Sequence, residues 1–337
     1  MSAPQLNETD ARAYRLCAAP MMDWTDRHCR YFLRQCAPHA RLYTEMITTG
    51  ALLHGDVARH LAFDPAEHPL AAQLGGSEPD ELAACARRVE AAGYDEINLN
   101  IGCPSERVQR GTFGACLMAE PALVADCVRA MREAVSIPVT VKHRIGIDKV
   151  ESYDFVTEFV ARVAAAGCTT FIVHARNAVL KGLSPKENRE IPPLRYEVVH
   201  RLKRDFPALA IVVNGGLADW SAIQAQLAMV DGVMLGRAAY HQPWLLAEAD
   251  ARLYGDGALP RNRAEVAQAM ATYAERQLAT GVALRQITRH MLGLYHHAPR
   301  ARVWRRMLSD SARLARNDPA LIGEALEAVE FGLEQAA

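Results

Sequence analysis

Residues Glu96–Pro104 read Glu-Ile-Asn-Leu-Asn-Ile-Gly-Cys-Pro. Ile97, Leu99 and Ile101 alternate with Asn98 and Asn100, the period-two pattern of a strand with one apolar face and one amide face. Helices would cover the apolar face, so the two asparagines belong on the inside of whatever the strand helps to enclose. Buried amides need partners, and a planar heterocycle rich in donors and acceptors would supply them. Cys103 follows on a loop before Pro104.

The same unit recurs on both sides. Apolar runs at Arg15–Ala19, Arg41–Thr44, Leu70–Leu74, Glu96–Asn100, Pro138–Lys142, Thr170–His174, Ile211–Asn214 and Gly232–Leu235 predict eight strands. Between them Asp80–Ala92, Ala122–Ala134, Tyr153–Ala166, Tyr196–Phe206 and Trp220–Met229 carry apolar residues at helical spacing. Ser77-Glu78-Pro79, Glu120-Pro121 and Asp219 stand where helices should start. Strand–helix alternation implies parallel pairing. Eight units match a TIM (β/α)8 barrel, which takes about 250 residues. A doubly wound open sheet is the competitor, and strand count alone does not exclude it.

In a barrel the site is built from the C-terminal ends of the strands. Those positions hold Pro20-Met21-Met22, Glu45, Gln73, Asn98 and Asn100 with Cys103, Lys142, His174 with Arg176, Asn214-Gly215-Gly216 and Gly236-Arg237. Strand after strand thus ends in polar or glycine chemistry above an apolar interior, which favours the barrel. Asn214-Gly215-Gly216 and Gly236-Arg237 follow strands seven and eight, where barrels bind phosphate on unobstructed N–H groups. Either motif alone would be read as a tight turn; the pair points to a phosphate-bearing cofactor. Lys142 ends an apolar strand and is costly there unless a phosphate, a carboxylate or a reduced flavin ring meets it. Arg144, two residues on, is expected to occupy the rim. His174 and Gln73 are read as ligand contacts from the same position. Cys103 is an acid rather than a ready nucleophile, because an ordinary thiol keeps its proton at neutral pH. Cys17, Cys85, Cys127 and Cys168 are read as small buried hydrophobes.

Lys+Arg number 38 and Asp+Glu 39, a net charge of −1, so no global field marks a nucleic-acid coat protein. Eight cysteines without a CxxC pair or zinc spacing, no apolar run long enough for a bilayer and no secretory start predict a cytoplasmic protein without a metal site. Residues 1–14 read as a polar extension and 15–257 as the barrel. Residues 258–337 read as an all-helical domain, with Arg263–Gly281, Leu284–His297, Ala301–Arg316 and Ala320–Gln335 as helices after the linker Asp256–Asn262. Charge there is uneven. Arg285, Arg289, Arg300, Arg302, Arg305, Arg306, Arg313 and Arg316 face one acid, Asp310, whereas the tail from Asn317 holds five acids and no base. The lopsidedness favours a phosphate-binding stripe over a solvated face.

Ala19-Pro20-Met21-Met22-Asp23-Trp24-Thr25-Asp26, Gln73–Gly76, Asn98–Pro104, Val141-Lys142-His143-Arg144-Ile145-Gly146 and Asn214–Gly216 stand in the order found in tRNA-dihydrouridine synthases, which the chain resembles over nearly its whole length. Leu183–Glu190 and Thr288–Leu294 look like the subfamily that acts at tRNA positions 20 and 20a. The resemblance implies an FMN-bound barrel followed by a helical tRNA-binding domain. NADPH would reduce the flavin, and the flavin would reduce the C5=C6 bond of a D-loop uridine. It also implies FMN contacts at Pro20, Met21, Met22, Gln73, Lys142, His174, Asn214, Gly215, Gly216, Gly236 and Arg237. Cys103 would be the proton donor, and Asn100, Lys186, Arg189, Arg302 and Arg305 would touch tRNA. An FMN oxidoreductase of a free pyrimidine would explain the barrel but not the basic helical region. A non-redox tRNA-docking module would explain that region but predicts no flavin reduction.

Overall fold

The computed structural model describes residues 12–105, 108–109, 111–255 and 261–334, with side chains to residue 330. Eight parallel strands close on themselves in chain order: β1 Leu16–Ala18, β2 Arg41–Thr48, β3 Leu70–Gly75, β4 Glu96–Ile101, β5 Val139–Arg144, β6 Thr170–His174, β7 Ala210–Asn214 and β8 Gly232–Leu235. Closure is made by β1 against β8, with Cys17 opposite Met234, and it removes the open-sheet alternative. Helices cover the strands where apolar spacing predicts them, at Pro79–Ala91, Pro121–Ala134, Tyr153–Ala165, Tyr196–Asp205 and Trp220–Leu227. Proline at the first turn starts two of these; Glu78 and Glu120 before them make no capping bond. Asp219 caps its helix by accepting from Ala222 N at 2.8 Å. β2 runs four residues past its expected end, and its register against β3 shifts between Tyr43 and Met46. Glu45 therefore lies within that irregularity rather than at the strand's tip.

The barrel interior has two halves. Tyr14, Cys17, Ala19, Tyr43, Ala71, Ile172, Val212 and Met234 form an apolar cluster. Tyr14 thus belongs to the core and not to a polar extension; residues 1–11 of that extension lie outside the described residues. The other half is polar and is built on β3, β4 and β5. At its floor Glu96 is fully buried, 3.1 Å from the Arg41 guanidinium, and accepts from Tyr43 OH at 3.0 Å and Thr140 Oγ1 at 2.6 Å. Burial pushes its carboxyl group up, against the pull of Arg41 and the hydroxyl donors. Stripping one member from such a buried pair typically costs about 3–5 kcal/mol. Nothing local in the sequence marks Glu96, because its partners Arg41, Tyr43 and Thr140 lie on other strands.

Compactness divides the chain into Met1–Met22 with Arg41–Gly236, and Asp23–Ala40 with Arg237–Ala337. The division falls at Gly236 rather than at 257/258, and it assigns the helix Arg27–Cys36 to the helical unit. Residues 256–260 of the expected linker lie outside the described residues. Within the helical unit Asp26 caps Arg27–Cys36 through His28 N and Cys29 N. His28 Nδ1 meets Tyr273 OH at 2.8 Å, and Tyr31 stacks on Tyr273 at 3.9 Å. Trp304 is fully buried and donates to Met291 O at 2.7 Å. Two expected helices are shorter. Leu284–Met291 stops before Gly293, where an added Cβ would lie 2.5 Å from His241 O. Ala301–Ser309 is broken from Ser311–Ala315 by Asp310, which is extended and caps the second piece through Arg313 N at 2.9 Å. Among the described residues no helix is long and apolar enough to cross a membrane.

Candidate active site

The polar half of the barrel rises from Glu96 to Cys103 through side chains on three adjacent strands. Pairing sets Gln73 opposite Asn98 and Asn98 opposite Thr140. Asn98 Nδ2 donates to Thr140 Oγ1, Gln73 Nε2 to Asn98 Oδ1 and Asn100 Nδ2 to Gln73 Oε1, each at 2.8 Å. Asn100 Oδ1 in turn accepts from Gly102 N at 3.0 Å and Cys103 N at 2.9 Å. The expected inward amides are therefore partnered by one another, and Asn100 is spent partly on the Cys103 loop.

Lys142 reaches Asn214 Oδ1 at 3.1 Å, and Asn214 Nδ2 donates to Met234 O at 2.8 Å. Lys142 forms no ion pair with an acid among the described residues. Burial, with Arg144 nearby, pushes its ammonium down to about 7. His174 is pushed well below its usual range by burial and by the same cations, and its buried Nε2 has no hydrogen-bond partner among the described residues. Gly215 and Gly216 have φ of +116° and +71°. An added Cβ at Gly215 would stand 3.2 Å from the His174 ring, and one at Gly216 would stand 2.4 Å from Leu194. The turn itself thus demands glycine, and it brings bare backbone against His174. Gly236 ends β8's connection with open space near Ala19. Arg237 opens the helix Arg237–His241 of the other unit. Met22 is exposed; Pro20 and Met21 are half-buried after β1.

Cys103 is half-buried, and its backbone is held on both sides. Its N–H goes to Asn100 and its carbonyl accepts from Ala115 N at 2.9 Å, beside Gly114, where a Cβ would lie 2.6 Å from that carbonyl. Gln109 Nε2 donates to Pro104 O and Leu180 O, both at 2.7 Å, which ties this loop to the one after β6. Arg144 is not at the rim. It is buried and donates to Gly102 O, Asn177 O and Asn188 O, so it fastens the same two loops. Cys17, Cys85, Cys127 and Cys168 are buried, and desolvation raises their thiols to about 12, 11, 12 and 12.

The loop after β6 carries Lys186 and Arg189, both exposed, around the buried Asn188. Asn188 accepts from Val179 N at 2.7 Å and donates to Val179 O at 2.9 Å. Ser184 and Glu187 exchange backbone-to-side-chain bonds at 2.8 and 3.2 Å. Ser184-Pro185-Lys186-Glu187 is the capping-box spacing, a local signal that would have predicted this ordered turn.

A family model described as dihydrouridine synthase matches residues 17–330. The chain belongs to the dihydrouridine synthase family. Proteins named tRNA-dihydrouridine(20/20a) synthase are similar to it throughout. The one from Pseudomonas aeruginosa is 57% identical over 95% of this chain and 97% of its own, and that from Synechocystis is 58% identical over 96% of each. The Salmonella typhimurium protein is 54% identical over 97% of this chain and 98% of its own. The solved structure of morphinone reductase, 14% identical, covers 74% of this chain and 87% of its own at a TM-score of 0.50, a likeness of fold.

In this dihydrouridine synthase the basic stripe of the helical unit is narrower than its sequence. Arg289 pairs with Asp26 at 2.6 Å, Arg313 with Glu324 at 3.7 Å, and Arg316 with Asp318 at 3.3 Å and Glu324 at 3.6 Å. Eight arginines less these three leave Arg285, Arg300, Arg302, Arg305 and Arg306, which are exposed and make no ion pair among the described residues. Trp304 and Leu308 bury the inner face of their helix, so Arg302, Arg305 and Arg306 fall on its outer one.

Proposed function

We propose that the chain is a flavin-dependent tRNA-dihydrouridine synthase acting in the cytoplasm on D-loop uridines 20 and 20a, with FMN as resident cofactor and NADPH as reductant. The carrying observation is a barrel mouth where, among the described residues, Lys142 lacks an acid and His174 Nε2 lacks a partner, together with a half-buried thiol at Cys103. These residues fit a flavin. An electron-rich ring edge or phosphate would restore Lys142's charge, and a ring acceptor or donor would complete His174. Gln73, Lys142, His174, Asn214, Gly215 and Gly216 would hold it, with Pro20, Met21 and Met22 after β1 and Gly236 and Arg237 after β8. When bound and reduced, a flavin supplies hydride to C6 of the uracil.

The chain's own part is to deliver the proton and hold the base. Cys103 Sγ gives its proton to C5 as charge builds there, and the resulting thiolate regains one from solvent. Asn100 fixes the Cys103 backbone and keeps an N–H for the base. A uridine must leave its stack to reach such a site, which suits ordered, cation-bearing loops at the mouth. Lys186 and Arg189 there, and Arg302 and Arg305 on the helical unit, would hold phosphates.

The test is anaerobic. The flavin of the purified protein is reduced with NADPH, unmodified tRNA is added, and flavin reoxidation is followed. Rapid reoxidation by tRNA but not by uridine or orotate is expected. Reoxidation by a free pyrimidine alone would move the enzyme to small-molecule chemistry.

A further inference from the structure

We infer that Glu96, on the barrel floor, is a positioning residue that orients the amides of the mouth and the Cys103 loop through an unbroken chain of hydrogen bonds. The inference rests on the reading of that mouth as the flavin and uridine site. In the chain every donor points the same way. Cys103 N–H gives to Asn100 Oδ1, Asn100 to Gln73, Gln73 to Asn98, Asn98 to Thr140, and the Thr140 hydroxyl to Glu96 Oε1. Both ends fix this polarity independently. Backbone N–H groups can only donate, so Asn100 must turn its oxygen to them and its nitrogen to Gln73. Carried downward, that choice makes the Thr140 hydrogen the last donor, and it needs a pure acceptor below it. A carboxylate held by Arg41 is that acceptor, and aligned bonds in a dry interior reinforce one another.

The consequence lies at the top. Among the described residues Gln73 and Asn100 each keep one uncommitted N–H, so the mouth offers donors where the opposite polarity would offer carbonyls. The ring edge it suits therefore carries acceptors, as the carbonyl edges of a uracil and a flavin do, and not an exocyclic amine. An apolar Ile, Val or Met at position 96 would fill the space but leave the Thr140 hydroxyl, the last donor of the chain, without its carboxylate acceptor and the amides held from one end only.

Replacing Glu96 itself leaves Arg41 buried beside a neutral group, and misfolding would mask the effect. The chain is better cut at Thr140. Thr140→Val keeps the shape and removes the relay, and Thr140→Ser restores it. Protein labelled with ¹⁵N at asparagine and glutamine reports side-chain amide exchange, and turnover with saturating NADPH gives kcat and KM for tRNA. In Thr140→Val, amide protection should fall about tenfold or more at Gln73 and Asn100 as well as Asn98, with kcat down roughly tenfold and KM within about twofold. Thr140→Ser should return both. Exchange that changes only at Asn98, an unchanged kcat, or no rescue by serine in a folded protein overturns the inference. Failure of the flavin reading would show separately, as wild-type protein without flavin absorbance or without reoxidation by tRNA.

Discussion

The inside of the barrel and the arginine face of the helical unit are both polar, for opposite reasons. Inside, Gln73, Asn98, Asn100 and Thr140 are polar because each has a named partner at hydrogen-bond distance, and the backbone register puts it there. On the face, Arg302, Arg305 and Arg306 are polar because water surrounds them. A buried donor whose partner goes is left with an uncompensated desolvation cost, at any ionic strength. An exposed charge acts over about 8 Å in physiological salt and fades as salt rises. Changes at the barrel should therefore alter rates independently of salt, and changes on the face should alter affinity in proportion to it.

The sharpest break of that comparison is at Cys103. Cys103→Ala removes the proposed proton donor and leaves Asn100 and Ala115 still holding the backbone. Bleaching of the flavin by NADPH should keep its rate, while reoxidation by tRNA slows by roughly 10²- to 10⁴-fold at every salt concentration. Stopped-flow absorbance separates the two halves. Equal losses in both would make Cys103 a structural residue.

Lys142 gives the next largest effect. Its ammonium, held near 7 by burial, is charged below that pH and neutral above it in the flavin-free protein. An electron-rich partner favours the charged form, so binding raises the lysine's value and takes up a proton. Flavin affinity of the stripped protein should be level below pH 7 and fall up to about tenfold per unit above it, until the bound-state value is reached. Fluorescence titration from pH 6 to 9 checks the slope. Lys142→Met should flatten it, and a flat wild-type profile would remove Lys142 from the flavin's surroundings.

How much of this was legible follows the same division. β4 could be read to its side-chain directions because alternation is local: Ile97, Leu99 and Ile101 are buried outside, and Asn98 and Asn100 face in. That the amides satisfy one another was not legible, since Gln73 and Thr140 lie 25 and 42 residues from Asn98 and only strand order joins them. Arg144 lies inside and not at the expected rim because three carbonyls reach it from two loops, which nothing local in the sequence shows. Part of the arginine stripe is neutralised by acids outside its own span. Asp26, which pairs with Arg289, lies 263 residues away, and Asp318 and Glu324 stand in the acidic tail just beyond the stripe. Even within one helix, Asp310 broke Ala301–Arg316 through a cap that composition alone does not rank above continuation.

The smallest predicted effects divide the stripe itself. If phosphates bind the uncompensated arginines, Arg302→Ala and Arg305→Ala should each weaken tRNA binding roughly four- to sixfold at 0.15 M salt and reduce the salt slope by about 0.7–0.9. Arg313 and Arg316 already have Glu324 and Asp318 within 4 Å, so RNA phosphate would have to displace an acid to gain either one. Their alanine variants should change affinity less than about twofold and leave the slope alone, because surface pairs contribute little. The converse change is more telling. Glu324→Gln frees Arg313, while Arg316 keeps Asp318, and it should tighten tRNA binding by about twofold while steepening the slope. Filter binding across a salt series distinguishes the cases. Equal slopes for Arg302→Ala and Arg313→Ala would mean that tRNA reads the stripe's total charge and not its unpaired members.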